Sequence, residues 1–116
     1  MSEDASLGTW PDDPPKGATL IQQIRAISSD SGKVFFSRHA QEQLLMRGYS
    51  DRDVIAGFRI GDVVGDVTPG NKPGEWVCEV IFPARQDRGS RNIGVITIVQ
   101  RGVRLFLKTV MWKYKR

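Results

Sequence analysis

Residues 36–54, FSRHAQEQLLMRGYSDRDV, predict two short helices joined by a tight corner. Ser37 has the side chain of an N-cap, and the helix that it opens extends over about Arg38–Arg47. Gly48 suits the left-handed backbone conformation that closes a helix. This segment therefore sets the direction of the chain, and the neighbouring elements are assigned outward from it.

The corner continues into a second helix, predicted over about Asp51–Ile60. Ser50 and Asp53 have the spacing of a capping box, in which each side chain bonds the backbone N–H of the other residue. An earlier helix is predicted over about Thr19–Ser29, where apolar residues recur at helical spacing. Before the corner, Val34–Phe36 is predicted to be a short extended lead-in.

Four strands are predicted after the helices, over about residues 62–67, 75–82, 92–99 and 103–112. This order indicates the α+β class, with the N-terminal helices packed on a four-stranded antiparallel sheet. Alternation along the last strand predicts that Thr109 points to one face. The opposite face is predicted to carry Arg104, Phe106, Lys108, Val110 and Trp112.

Length and composition indicate one folded domain, since the chain has 116 residues, of which 40% are hydrophobic and 26% charged. Residues 1–17 are predicted to form a disordered acidic leader, which leaves 18–116 as the domain. The sequence shows neither a secretory signal nor the roughly 20 apolar residues of a membrane helix. One cysteine and one histidine argue against disulfides and zinc, and no cofactor is predicted. We therefore expect a cytoplasmic bacterial protein without a membrane partner.

The net charge of +4 is distributed unevenly along the chain. The first 13 residues contain four acids and no base, whereas residues 85–116 contain nine bases and one acid. Such a basic C-terminal half is typical of a surface that attracts RNA, DNA or an acidic protein. The alternative is a solvated charged surface that keeps a small protein in solution.

His39 is the residue of the corner segment that offers acid–base chemistry. On a helical wheel it points away from Ala40 and Leu44, where an imidazole near the surface can exchange a proton at neutral pH. Glu42, three residues further on, is placed to orient the ring. The alternative is a surface histidine with a local hydrogen bond, since spacing fixes no second catalytic group.

Basic residues near the predicted strands offer phosphate contacts. Arg91 opens a strand, and its planar guanidinium can hold a phosphate or, equally, form an ion pair at the sheet edge. On the last strand, alternating basic and aromatic side chains can follow a single-stranded nucleic acid and stack its bases. In the alternative, the aromatic residues build the core, and Arg104 and Lys108 extend past them at its rim.

Several short motifs follow one another in a recognisable order. They are residues 37–50 (SRHAQEQLLMRGYS), Asp53–Val54, Gly61, Gly74–Glu75–Trp76, Gly89–Ser90–Arg91 and residues 107–112 (LKTVMW). Over about residues 19–112, this order resembles a small bacterial family, the domain of unknown function DUF4258. At Gln43 that family usually has Arg, so this chain lacks one positive charge beside His39.

The resemblance implies a fold similar to that of the RelE/ParE-type toxins and related small ribonucleases. In the ribonuclease members it implies metal-free RNA cleavage, in which a base activates the 2′-hydroxyl and basic groups stabilise the charged phosphorane. On this chain it implies that His39 is the base or acid, that Arg91 and Arg47 hold the phosphate, and that Thr109 is a supporting donor. Nucleic-acid contacts are predicted for the basic residues Lys108, Arg104, Arg88 and Arg85.

Two functions from different classes are therefore predicted. The first is a toxin-like, metal-independent endoribonuclease of a toxin–antitoxin type system, acting on RNA. The second is a non-catalytic module that binds nucleic acid or an acidic protein such as an antitoxin. ParE-like relatives illustrate the second possibility, because they inhibit a protein partner and a shared fold does not determine chemistry.

Overall fold

The helices of this computed structural model, which describes residues 14–84 and 91–114, lie where the sequence predicts them. Their bounds are Gly17–Ser28 for α1, Arg38–Arg47 for α2 and Asp51–Ile60 for α3, and a 3₁₀ turn at Ser31–Lys33 follows α1. α1 begins two residues before its predicted start, after Lys16 in an extended conformation. Of the predicted leader, residues 1–13 lie outside the described part of the chain, and Gly17 already belongs to α1.

The corner between α2 and α3 has the capping interactions that its sequence predicts. The Ser37 hydroxyl accepts a hydrogen bond from the backbone N–H of Ala40 at 2.9 Å, and Gly48 closes α2 with a φ of 73°. Ser50 N–H donates to the Asp53 carboxylate at 2.8 Å, and Asp53 N–H donates back to the Ser50 hydroxyl at 3.4 Å. Both helix ends are thus specified by interactions between near neighbours in the sequence.

Within the described residues, five strands form one mixed sheet in the order β1-β5-β4-β3-β2. Their bounds are Val34–Phe36 for β1, Asp62–Pro69 for β2, Glu75–Pro83 for β3, Arg91–Gln100 for β4 and Arg104–Tyr114 for β5. The α+β class is confirmed, and β2 to β5 are antiparallel neighbours. The prediction of a four-stranded, purely antiparallel sheet is wrong, because the predicted lead-in pairs in parallel with β5. The edge of β5 offers partners for the backbone N–H and C=O groups of this short segment.

A β-bulge interrupts β5 at Lys108. Thr97 pairs with Leu107 and Ile96 pairs with Thr109, so Lys108 is the extra residue opposite β4. Because successive side chains of a strand point to opposite faces, one extra residue changes the phase of the alternation beyond it. The faces of β5 therefore have to be assigned separately before and after the bulge.

This change of phase corrects the predicted faces of β5. Leu105 and Leu107, before the bulge, are fully buried, and so is Val110 after it. The prediction that one face carries Arg104, Phe106, Lys108, Val110 and Trp112 is therefore wrong. The first two of these residues lie on the opposite face from the last two.

The helices pack on one face of the sheet, named here the helix face, and the other is named the open face. The buried apolar residues that β3, β4 and β5 contribute to the helix face are Trp76, Cys78, Val80, Phe82, Ile93, Val95, Val99, Leu105, Leu107 and Val110. The helices contribute Leu20, Leu44 and Phe58, among others, to the same core. Gly57 permits close packing of α3 on β3, because a Cβ at this position would lie 2.5 Å from the Phe82 ring. Among the described residues, no helix has the length and apolar character needed to span a membrane.

Candidate nucleic-acid interface

Trp112, near the end of β5, brings two arginine side chains together. The Cζ atom of Arg91 lies 3.8 Å from the centroid of the indole ring, and the Cζ atom of Arg47 lies 5.7 Å from it. Tyr49 contacts the same indole edge to face, with ring centroids 6.3 Å apart and an interplanar angle of 84°. These four residues are named here the arginine–tryptophan cluster. Cation–π attraction to the indole partly offsets the repulsion between the two guanidinium groups.

The register of the sheet and the corner after α2 explain why these side chains meet. Ile93 pairs with Trp112 across β4 and β5, and Arg91 lies two residues earlier on the same face as Ile93. Arg47 is the last residue of α2, and the left-handed turn after it brings Tyr49 back onto the sheet, where it is buried. The cluster therefore joins residues that are far apart in the sequence.

Two polar atoms of the cluster are buried without a hydrogen-bond partner. Arg47 donates from Nη1 to the carbonyl oxygen of Gln43 at 3.2 Å, but its Nε–H makes no hydrogen bond. The Tyr49 hydroxyl is likewise buried and unbonded. A buried polar group without a partner costs about 1–3 kcal/mol, and an oxyanion with several oxygens can accept from such donors. The cluster is thus suited to hold a phosphate.

An apolar groove borders the cluster and shares Tyr49 with it. The groove lies between α3 and the end of β3, has a volume of about 210 Å³ and is lined by Tyr49, Asp53, Ala56, Gly57, Ile60, Phe82 and Pro83. A larger cavity, of about 450 Å³, is lined by Lys72, Pro73, Glu75, Gln100, Arg101, Val103 and Arg104, and none of the cluster residues lines it. Because Tyr49 belongs to both, the smaller groove is the one that can act together with the cluster.

His39 lies outside this cluster. It is exposed on the first turn of α2, which the Ser37 hydroxyl anchors by donating to the carbonyl oxygen of Lys108 at 2.8 Å. Eight residues separate His39 from Arg47, a rise of about 12 Å along the helix axis. In the described part of the chain no hydrogen bond or ion pair joins His39 to Glu42, the residue predicted to orient it. The imidazole is exposed to solvent.

Gln43 has a structural role that the sequence does not reveal. Its Oε1 accepts a hydrogen bond from the backbone N–H of Val110 at 2.7 Å. At this point β1 has ended, and α2 runs along the edge of β5 in its place. Gln43 therefore extends the hydrogen bonding of the sheet edge beyond the end of β1.

The other predicted site residues are spread over different parts of the molecule. Thr109 and Lys108 lie at the bulge, and Ile96, the residue opposite them, is on the open face. Arg104 is also on the open face, where its Nε donates to Gln100 Oε1 at 3.0 Å. Arg85 and Arg88 lie outside the described residues. Of the predicted set, the structure brings together Arg47 and Arg91, and it adds Tyr49 and Trp112.

Cys78 is not a candidate nucleophile. It lies on the buried face of β3, and this burial raises the pKa of its thiol from 9.0 to about 12. The nucleophilic form of cysteine is the thiolate, which is scarce at neutral pH when the pKa is so high. Within the described residues, no group of three or more His, Cys, Asp or Glu side chains is placed to bind a metal ion.

Comparison of the chain with protein-family models, with curated proteins and with solved structures found no significant match. The similarity to DUF4258 therefore stays a prediction from the motifs of the sequence.

Proposed function

We propose that the protein binds single-stranded RNA through the arginine–tryptophan cluster. The observation that carries the proposal is the convergence of Arg47 and Arg91 on Trp112, beside two buried donors without partners. Stacking engages the plane of a guanidinium and leaves its N–H donors at the edge, where they can contact phosphate oxygens. Stacked arginines are also ordered before binding, which lowers the entropic cost of holding the ligand.

The neighbouring groove favours a single strand as the ligand. Bases of a duplex are stacked and paired, whereas a base of a single strand can leave the stack and enter an apolar pocket. Tyr49 and Phe82 provide aromatic surface in this groove. A phosphate on the arginines and a base in the groove would together define one nucleotide site.

RNA is favoured over DNA by the resemblance to RelE/ParE-type ribonucleases, and a RelE/ParE-like fold is part of this proposal. The basic C-terminal half supports a polyanionic ligand, since residues 85–116 carry nine bases and one acid. An acidic partner protein would use the same charge, so the experiments below include an acidic polypeptide as competitor.

Binding can be tested by fluorescence anisotropy with a labelled single-stranded RNA of about 12 nucleotides. We expect Arg47→Ala and Arg91→Ala each to raise Kd about tenfold and to lower the salt slope by about one. Arg104→Ala is the matched control, because it removes the same side chain from the open face. An Arg104→Ala effect as large as that of Arg47→Ala would show that the site is wrongly placed. Stronger competition by polyglutamate than by RNA would indicate a protein partner.

Metal-independent RNA cleavage, as in a toxin, is a second candidate function, since the imidazole of His39 is exposed to solvent; RNA would have to extend about 12 Å along α2 to contact both His39 and Arg47. His39 would take the proton of a 2′-hydroxyl, whose oxygen would attack the adjacent phosphorus; the bond to the 5′-oxygen would break, and that oxygen would take a proton from solvent. Incubation with RNA and a chelator should then give fragments that end in 2′,3′-cyclic phosphate. We expect His39→Ala to retain binding and lose cleavage. If the parent protein leaves the RNA intact, the cleavage proposal is wrong and only the binding proposal stands. If His39→Ala gives the same fragments as the parent protein, His39 is not the base.

A further inference from the structure

The cavity of about 450 Å³ lies between two turns of the sheet. The loop from β2 to β3 contributes Lys72 and Pro73 to its lining, and the turn from β4 to β5 contributes Arg101 and Val103. The backbone N–H of Arg101 donates to the carbonyl oxygen of Gly74 at 2.9 Å, which ties the two turns together. Arg101 has a φ of 56°, in the left-handed region that side chains other than glycine rarely adopt. The walls of the cavity are therefore held in place by contacts within the protein.

A nearly buried carboxylate lines this cavity. Glu75 is only 8% exposed, and its Oε2 accepts a hydrogen bond from Gln100 Nε2 at 3.0 Å, whereas its Oε1 accepts from the Lys72 N–H at 3.4 Å. A carboxylate offers about four acceptor positions, so roughly half of them have no donor. Within the described residues, no lysine or arginine forms an ion pair with Glu75. A buried charge without a counter-ion is costly, so the cavity favours a ligand that brings N–H donors to this carboxylate.

Basic side chains line the remainder of the cavity. Lys72, Arg101 and Arg104 lie around it, against Glu75 as the acid of the lining. Arg104 is held in place, because its Nε donates to Gln100 Oε1 at 3.0 Å and its Cζ lies 5.9 Å from the centroid of the Phe35 ring. The terminal N–H groups of Arg104 can still contact a ligand. A cavity with this excess of positive charge attracts an anion, so its ligand should combine N–H donors with negative charge.

We propose that this cavity binds a free guanine nucleotide such as guanosine diphosphate. The base-pairing edge of guanine carries two neighbouring donors, N1–H and the N2 amino group, which match the two oxygens of the Glu75 carboxylate. The other common bases place an acceptor atom beside each donor on this edge, and such an acceptor would face the carboxylate unfavourably. Pro73 and Val103 provide apolar surface for the base, and the basic lining contacts the phosphates. The cavity volume is within the usual range for a small-molecule site.

This nucleotide site is separate from the arginine–tryptophan cluster. Arg104 and Trp112 lie on opposite faces of β5 and are eight residues apart, which is roughly 25 Å along the strand. An RNA without guanine keeps the assay of the cluster independent of the cavity, and the nucleotide assay contains no RNA. Failure of one proposal therefore leaves the other standing.

Isothermal titration calorimetry of the full chain with three nucleotides tests the site. Inosine diphosphate differs from guanosine diphosphate only by lacking the N2 amino group, and adenosine diphosphate places an acceptor nitrogen beside its donor. We expect guanosine diphosphate to bind with a Kd below roughly 100 μM, and the other two to bind at least about tenfold more weakly. Absence of binding at roughly 1 mM guanosine diphosphate would overturn the proposal, and so would equal Kd values for the guanosine and inosine nucleotides.

The variant Glu75→Gln tests the contact to the base. It retains the size of the side chain but replaces one acceptor oxygen by an amino group, which opposes the N2 amino group of guanine. We expect guanosine diphosphate to bind about tenfold more weakly and the difference from inosine diphosphate to disappear. A preference for guanosine over inosine that persists in this variant would exclude Glu75 as the base contact. Circular dichroism establishes that the variant retains the fold.

The variant Arg101→Ala tests the phosphate contact without altering Glu75. It should weaken guanosine and inosine diphosphate by the same factor, about five- to tenfold, because both nucleotides carry the same phosphates. Arg52→Ala is the matched control, since Arg52 is an exposed arginine of α3 that does not line the cavity. Equal effects of the two substitutions would show that the nucleotide binds by overall charge and would overturn the site.

Guanine within an RNA strand is the other source of the same base. A single-stranded RNA of about 12 nucleotides that contains guanine is therefore added as a competitor. We expect it to leave the Kd of guanosine diphosphate unchanged. Displacement by this RNA at an equal concentration of guanine would overturn the assignment to a free nucleotide.

Discussion

At the scale of single residues, the side chain of Gln43 supplies a hydrogen-bond acceptor that a neighbouring strand would otherwise provide. Parallel pairing between β1 and β5 ends at Phe36, and the Ser37 N–H still bonds the carbonyl oxygen of Leu107 at 2.9 Å. Further along β5, the N–H of Val110 is bonded by the amide oxygen of Gln43. The helix α2 thus continues the edge pairing with a side-chain acceptor where a backbone carbonyl is absent. Without this acceptor, the Val110 N–H would give up its hydrogen bond to water on folding and would have no partner in the folded protein.

Replacing Gln43 should therefore affect stability through its acceptor atom. Gln43→Leu retains the apolar part of the side chain but leaves the Val110 N–H unbonded, so we expect a loss of about 1–3 kcal/mol in the free energy of unfolding. Gln43→Glu retains an acceptor oxygen and is the matched control, with an expected change of less than about 1 kcal/mol. Urea unfolding curves measure both values. Equal losses in the two variants would show that the hydrogen bond is not the cause.

Residues with short-range partners were the ones that sequence could identify. Ser37, Gly48, Ser50 and Asp53 were predicted correctly, because capping depends on partners within four residues. Gln43 could not be identified in this way, since its partner is 67 residues away. Its amide oxygen can accept this hydrogen bond only when α2 packs against β5.

At the scale of elements, the bulge at Lys108 determines which side chains β5 gives to the core. The two core residues before the bulge have odd numbers, and the core residues after it have even numbers. Regular alternation is the assumption on which sequence patterns of strands depend, and one extra residue violates it. The extended conformation of β1 was predicted, but its parallel pairing with β5 was not, because three residues are too few to show a period.

Deletion of Lys108 should be tolerated, because it removes the extra residue and lets Thr109 follow Leu107 in a regular ladder. The core residues on both sides of the deletion keep their face, and the main loss is the Ser37 bond to the Lys108 carbonyl. Deletion of Met111 is the control, since it turns Trp112 towards the open face. We expect a cooperative thermal transition for the first deletion and none for the second, measured by circular dichroism. Unfolding by the Lys108 deletion would mean that the bulge itself is required.

At the scale of the whole molecule, the two faces of the sheet carry different side-chain groups. The arginine–tryptophan cluster is on the helix face, whereas Ile98 and Phe106 lie side by side on the open face. Sequence selected Arg47 and Arg91 individually, but their meeting on Trp112 requires the β4–β5 register and the corner after α2. The same register separates Thr109 from them, although all three were predicted to form one site. Charge and residue type are visible in a sequence, and distances across a sheet are not.

The acidic N-terminal residues should weaken RNA binding through long-range electrostatics. Removing residues 1–13 deletes four acids and no base, which raises the net charge from +4 to +8. We expect the RNA Kd to fall about two- to fivefold at low salt, with the difference lost at high salt. Neutralising Glu3, Asp4, Asp12 and Asp13 to their amides in the full chain is the control. A truncation effect that these amides do not reproduce would require a cause other than charge.

The two edge strands of this sheet also affect whether the protein aggregates at high concentration. Unpaired outer strands are the places where chains join into fibrils. Here β1 has three residues, and α2 lies beside the rest of β5. On the far side, β2 has an irregular register and a left-handed Gly65 with a φ of 71°. Neither border offers a long straight template, so abundant expression should yield discrete particles instead of insoluble filaments.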